Sequence, residues 1–352
     1  MLIFKVLRLN LRAIKDDKMK NLFPALLLSS LLVTPLSAKP LAKEAGWEFT
    51  ISLNAGYVSG QSNLSTSDDN EIISDVDSKA ESTDSVIAFP FARIQYTTED
   101  LKTQFFLGNS RDQISTSQFQ YELGVTHVFA DKSQISAAYF PELPLFNDTW
   151  EDPFLVNKVR TKTDDNAQGG RIQLERIAGS PITLKYAYAR NKVDNDESGQ
   201  SWSGLTEQQL QSLQRSSQYH RAEVETMFPV YLQQTKVFLK PTLQYTARIA
   251  DGDAISYDEY NFQLGLLIFS GRHTSITTFN IGTSSYKDKN PIFDNKQDSI
   301  NAGIFSVYSY ARPFNWQDVT FSLIAGYNQK KSHISFYDES GFIVSTGLAY
   351  TF

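Results

Sequence analysis

The chain contains no cysteine, which excludes a disulfide framework, a thiolate metal site and a lipoprotein anchor, since each needs a Cys. Histidine and tryptophan are sparse at four each, so His-dependent chemistry has few places to sit. Basic residues are in deficit, 33 Lys and Arg against 39 Asp and Glu, for a net charge of −6. Six of those basic and two of those acidic residues lie in positions 1–38, so the remainder carries −10. Nucleic-acid binders are basic, and no nucleic-acid partner is expected. After position 38 no run of about twenty apolar residues occurs, so no membrane-spanning helix is predicted.

What is present points to strands. Phe and Tyr number 24 and 17. In the last twelve residues Phe342, Val344, Thr346, Leu348, Tyr350 and Phe352 share one face, while Gly341, Ile343, Ser345, Gly347, Ala349 and Thr351 share the other. An apolar, aromatic-tipped face opposite a small or polar one suits a membrane β-strand. Terminal Phe352 with Tyr350 two residues back resembles the signal read by the outer-membrane barrel-assembly machinery. At the other end, Met19–Lys20 is followed by an apolar run from Leu22 to Val33 and by Pro35-Leu36-Ser37-Ala38. That is the form of a secretory signal peptide cleaved after Ala38. Residues 1–18 sit awkwardly ahead of it, and a true start at Met19 would explain them. The expected organisation is a signal peptide over 1–38 and a single barrel domain over 39–352.

Fourteen strands are predicted, near 48–58, 85–97, 101–110, 117–129, 133–141, 169–178, 181–193, 217–229, 235–249, 256–269, 273–286, 298–311, 318–330 and 340–352. Gaps alternate. Tight turns at Thr98–Asp100, Ala130–Lys132, Gly179–Ser180, Leu232–Gln234 and Ser270–Arg272 separate the long segments 59–84, 142–168, 194–216 and 287–297. An all-β transmembrane antiparallel barrel with short periplasmic turns and long outer loops gives that pattern, whereas a β-sandwich has no reason to put its long loops on one side. Around Pro90 the phase slips between Ile87 with Phe89 and Ala92 with Ile94 and Tyr96, and a bulge at the proline is expected.

The sequence also resembles a family. Residues 39–47 (Lys39 to Trp47) run into Ile51-Ser52-Leu53-Asn54-Ala55-Gly56-Tyr57. Then follow Leu107-Gly108-Asn109-Ser110-Arg111-Asp112, Trp150-Glu151-Asp152-Pro153-Phe154-Leu155, Asn290-Pro291-Ile292-Phe293-Asp294 and Phe336-Tyr337-Asp338-Glu339-Ser340. These segments, in this order, are similar to the domain of unknown function 2860 family of gammaproteobacterial outer-membrane proteins. The resemblance implies an outer-membrane location in a Gram-negative bacterium and transfers no activity and no catalytic residue.

The lumen-facing parity carries Arg93, Lys102, Arg171, Lys185, Arg221, Lys236, Lys240 and Arg248. It also carries Glu122, Glu175, Glu223, Glu225 and Glu259, with Gln104, Gln120, Gln244, Asn261 and Gln263 among them. Such residues either line a water-filled path or pair with one another and fill it. Fourteen strands lie nearer the size that leaves a channel than the eight that side chains fill. The excess of eight bases over five acids points to anionic or polyhydroxy solutes. Lys236, Lys240 and Arg248 share one face of one strand, with Lys240 about 14 Å and Arg248 about 41 Å along it from Lys236, and would form a basic ladder.

Two loop features stand apart. Asp194, Asp196 and Ser198 put oxygen ligands at alternate positions ahead of Gly199, like the first half of a calcium loop. The twelfth position is Leu205 where a bidentate Glu is required, leaving a solvated acidic loop or a weak divalent-cation site. Trp150–Phe154 would either fold inward, constricting the lumen or stacking on sugar rings, or pack at a loop tip.

An embedded hydrolase is the enzymatic rival, but none of His127, His220, His273 or His333 has a Ser or Asp at a catalytic spacing, and no Gly-x-Ser-x-Gly occurs. The expected function is therefore non-enzymatic and free of cofactors. It is a passive channel for small hydrophilic solutes, seated among outer-membrane lipid and lipopolysaccharide. The alternative is a non-conducting surface barrel that binds a partner or stiffens the envelope.

Overall fold

A computed structural model describes residues 41–109, 121–141 and 148–352. The signal-peptide reading, and Gln118, Phe119 and Gln120 of the fourth predicted strand, lie outside them. Among the described residues the strands are β1 (Gly46–Gln61), β2 (Ser82–Thr97), β3 (Thr103–Asn109), β4 (Tyr121–Val128), β5 (Gln134–Phe140), β6 (Asp148–Trp150), β7 (Lys162–Glu175) and β8 (Ile182–Val193). There follow β9 (Ser217–Thr226), β10 (Phe228–Leu232), β11 (Thr235–Ala250), β12 (Tyr257–Ser270), β13 (His273–Tyr286), β14 (Ser299–Ala311), β15 (Val319–Ser332) and β16 (Glu339–Thr351).

Every neighbour pairs antiparallel, and β1 pairs with β16 from Thr50 opposite Thr351 to Gln61 opposite Ser340, which closes the sheet. β9 and β10 both pair with β11 and act as one wall strand broken at Met227. β6 pairs only with the start of β7. The wall is therefore a closed barrel of fourteen strands, the predicted number. No described helix is long and apolar enough to cross a membrane, so any crossing is made by strands.

Burial is inverted relative to a water-soluble domain. Large apolar side chains such as Leu53, Val86, Leu243 and Val344 stand exposed on the outside. Gln95, Gln104, Glu122, Thr126, Thr242 and Thr246 are buried within. The period-two alternation of the sequence produces both faces at once.

One end carries tight turns and the other carries the long connections. Gly271, at φ 58°, makes the turn between β12 and β13. At this turn end the chain terminus is tied in: Phe352 N–H donates to Phe49 O at 2.9 Å, and Phe49 N–H donates to Phe352 O at 2.8 Å.

The bulge expected at Pro90 is absent. β1 and β2 keep one register from Gly46 opposite Thr97 to Gln61 opposite Ser82. Ala92 N–H points toward β3, where it donates to Asn109 Oδ1 at 3.0 Å. The N–H that Pro90 lacks would point the same way, past Arg93, where β3 pairing stops among the described residues. Ile87 simply faces inward and lines a cavity. The register slip a proline can impose occurs instead in β10, between Pro229 and Tyr231.

Candidate functional site: the barrel interior

Because register links each strand to the next, inward residues form rows that climb round the barrel. One row starts at the turn end with Thr97 and runs through Gln104, Thr126, Ser136, Gln173, Lys185 and Glu223. It reads on without break as Gln244, Asn261, Gly282, Asn301, Lys330 and Glu339. Apart from Gly282, every member is polar. Neighbours bond along it: Gln104 Nε2 donates to Thr97 Oγ1 at 3.0 Å, and the Thr126 and Ser136 hydroxyls meet at 2.9 Å. Gln244 Nε2 donates to Glu223 Oε1 at 2.8 Å.

The row leaves β1 opposite Gly46 and returns opposite position 62, since Gln61 pairs with Ser340. That displacement of sixteen residues fixes the barrel's proportions. With fourteen strands it gives a tilt of about 40° and a backbone radius of roughly 14 Å. A cylinder that wide is not filled by one layer of side chains.

One wall is charged and internally paired. Arg171 donates through Nε and Nη2 to the two oxygens of Glu122, both at 2.9 Å, and Arg93 Nη1 lies 3.9 Å from the same carboxylate. Glu175 accepts from Gln134 and Gln173 at 3.1 and 2.6 Å. Lys240 and Lys185 both reach Glu225, at 3.1 and 3.5 Å. Glu259 accepts from Ser284.

The basic ladder does not stand free. Lys240 is ion-paired, Lys236 is exposed near the turn end, and Arg248 donates to Ser217 Oγ and to the carbonyl of Arg215. Register brings Arg171, Lys185 and Lys240 into ion pairs that a count along the sequence does not show. Lys102 departs from its expected place, lying exposed in the turn before β3.

The opposite wall, β11 to β15, is mostly uncharged. A cavity of about 800 Å³ opens against it, lined by Gln244, Asn261, Gln263, Asn280, Asn301 and Asn328, with Arg221, Lys330 and Glu339 also on its lining. Arg221 donates to Thr246 Oγ1 at 3.3 Å, and Lys330 stands opposite Glu339 across the β15–β16 pair.

At the loop end, connections packed together form a cap. Its apolar core is Ile73, Val76, Phe154, Leu213, Ala254, Ile334, Phe336 and Tyr337. Trp150 is fully buried and donates to Ser65 O at 3.0 Å. Arg160 lies over its ring at 4.4 Å and donates to the carbonyls of Asn63, Pro153 and Asn70. Burial pulls the Arg160 pKa down to about 10, which still leaves it charged at neutral pH. The Trp150–Phe154 segment is thus cap interior, and its rings are not free to stack on a solute. Leu64 and Ser65 of the cap also line the main cavity.

The calcium-like loop is an ion-pair site. Asp196 takes Ser198 Oγ at 2.7 Å and the Arg215 backbone N–H and Nε at 2.6 and 2.9 Å, and Asp194 pairs with Lys192. Among the described residues no group of three or more His, Cys, Asp or Glu side chains is placed to hold a metal. The arginine nineteen residues on from Asp196 was invisible as its partner in the loop motif alone.

The family of proteins of unknown function designated DUF2860 matches residues 46–351. The chain belongs to this family. Three of the segments that carry the family resemblance meet in the cap. Phe154 lies 6.0 Å from Phe293 and 5.3 Å from Phe336, and Asn290 Nδ2 donates to the Tyr337 hydroxyl at 2.9 Å. Among curated proteins none matches the chain. Solved structures similar to it include an anion-selective porin from Comamonas acidovorans, at 10% identity and TM-score 0.41, covering 88% of this chain and 100% of that one. Others are OmpT, an outer membrane protein of Vibrio cholerae, at 8% and 0.40 over 90% and 100%, and OprD of Pseudomonas aeruginosa, at 10% and 0.33 over 91% and 98%.

Proposed function

We propose that this member of the family is a passive outer-membrane channel for small hydrophilic solutes. The observation that carries the reading is the polar row that climbs round the inside of a barrel too wide for its side chains to fill, beside a cavity of about 800 Å³. Membrane placement is supported by the apolar outer face and by aromatic residues near both its ends. Trp47, Phe49, Tyr350 and Phe352 lie at the turn end, and Tyr188, Tyr245 and Tyr260 lie toward the loop end. Outer-membrane lipid, lipopolysaccharide and the barrel-assembly machinery are the partners this placement implies. A non-enzymatic role fits the rings of His127, His220 and His273, whose hydrogen-bond partners are Thr103, Tyr186 and Tyr308 rather than serine.

Refolded protein in a planar bilayer is expected to give discrete conductance steps in KCl, and silence at all voltages would discard the channel. The packed cap favours a second reading, a non-conducting surface barrel, and silence would promote it. Orientation has its own test. Single Cys substitutions at Ser67 and Ser201 are expected to label on whole cells with an impermeant reagent, and one at Ser270 is not. Labelling at Ser270 alone would invert the barrel.

A further inference from the structure

The cavity wall is built of amides and backed by glycine. Asn261, Gly282 and Asn301 stand side by side on β12, β13 and β14, and Asn261 Nδ2 donates to Asn301 Oδ1 at 3.3 Å over the glycine. One level nearer the turn end, Asn280, Gly303 and Asn328 repeat the arrangement on β13, β14 and β15. A Cβ at Gly282 would come within 2.8 Å of Asn261 Nδ2 and 2.9 Å of Asn301 Oδ1. A Cβ at Gly303 would come within 2.6 Å of Asn280 Oδ1 and 2.8 Å of Asn328 Oδ1. Glycine therefore lets the amides lie back against the wall, where they present a flat surface of N–H donors and C=O acceptors. Asn261 Oδ1 is buried without a hydrogen-bond partner.

Below the two levels lies an aromatic surface. Phe305 follows Gly303 inward by two residues, and its ring rests on Gly326, whose Cβ would meet Phe305 at 2.6 Å. Charge in this part of the lumen is sparse and of both signs, with Arg221 bonded to the Thr246 hydroxyl. Lys330 and Glu339 are cross-strand neighbours, and Glu223 is engaged by Gln244 and lies 4.0 Å from Lys185.

We infer that the amide wall and the Phe305 ring form a binding site for neutral polyhydroxylated solutes of mono- or disaccharide size. The inference rests on the channel reading for its place along a path, and it supplies the solute class. Each sugar hydroxyl both donates and accepts, which an amide matches and a lysine or glutamate does not. The C–H face of a sugar ring suits an aromatic face beside those amides. A volume of about 800 Å³ is within the range of small-molecule sites. The cations that line the cavity, Arg221 and Lys330, stand on β9 and β15, to either side of the amides and with Glu339 opposite Lys330, so the amides and the ring themselves favour a neutral solute.

The test separates binding from conduction. Saturation-transfer NMR on the detergent-folded full chain, with maltose or gluconate as probe, reads the site whether or not the barrel conducts. KCl conductance reads the channel alone. Maltose is expected to show saturable transfer and gluconate little. Asn280→Ala with Asn301→Ala should raise the half-saturating maltose concentration about tenfold, the loss of two hydrogen bonds. Phe305→Leu, which keeps an apolar side chain inward, should weaken maltose in the same sense and serves if the double variant fails to fold. Equal transfer from gluconate, no saturable maltose signal, or maltose binding indifferent to both variants would each overturn the inference. Maltose binding without conductance would leave the site standing and remove the channel.

Discussion

Replacing Phe352 with Asp is expected to cut the amount of assembled barrel in cells about tenfold or more, while refolding from urea into detergent changes little. The structure separates two roles for this residue. Its backbone closes the seam, with reciprocal hydrogen bonds to Phe49 that any residue at position 352 can make. Its ring stacks on Phe49 at 5.4 Å and lies 5.6 Å from Tyr350, on the exposed face. An aromatic pair of this kind contributes about 0.5–1.5 kcal/mol. A charge near the rim of a barrel's lipid face costs about 0–1 kcal/mol. Neither amount unfolds a sheet closed by fourteen strands, so a large loss in cells would come from failed recognition by the assembly machinery. Heat-modifiable gel mobility measures both arms. Equal, unaltered yield in cells would show that the terminal Phe is no signal here, and an equal large loss in both would make it a structural residue.

Fourteen strands, their two faces and the alternation of turns and long connections were legible because each depends on local sequence: period two, and where Gly, Asp and Asn cluster. The interior was legible only as a set of inward residues. Which of them meet depends on register between strands, which no single strand encodes. Glu122 and Arg171 are 49 positions apart yet form the bidentate pair on the charged wall. The basic excess therefore does not tell which bases are already paired, and the amide rows did not stand out, since Asn261, Asn280, Asn301 and Asn328 come from four strands. Pro90 misled for a related reason. A lumen that accepts Ile87 and Phe305 breaks the rule that inward means polar. The cap was least legible, because its core draws on apolar residues scattered through acidic loops, and Trp150–Phe154 gave no sign of the partners that bury it.

The cap supplies the second large effect. Changing Phe154 and Phe336 together to Ala is expected to open the loop end without unfolding the barrel, and to raise single-channel conductance severalfold. Both rings are almost fully buried, and they pack 5.3 Å apart. Truncating a buried Phe costs about 3–5 kcal/mol. Two such losses fall on one small cluster of connections, whereas the wall is held by separate ladders of backbone hydrogen bonds that run to the β1–β16 seam. Loss should therefore be local, with the cap loosening while the wall persists. Protease added outside is expected to cut within 62–81 and 194–216 faster in the variant, with heat-modifiable mobility of the barrel retained. Faster cutting with unchanged conductance would mean that the cap roofs no part of the solute path. If the native protein is silent and the variant conducts, the cap is a plug and the surface-barrel reading holds for the resting molecule. If both are silent with the cap demonstrably open, the obstruction lies deeper, among the ion pairs of Glu122, Arg171, Lys185, Glu225 and Lys240, and the lumen is closed by charge pairing rather than by its loops.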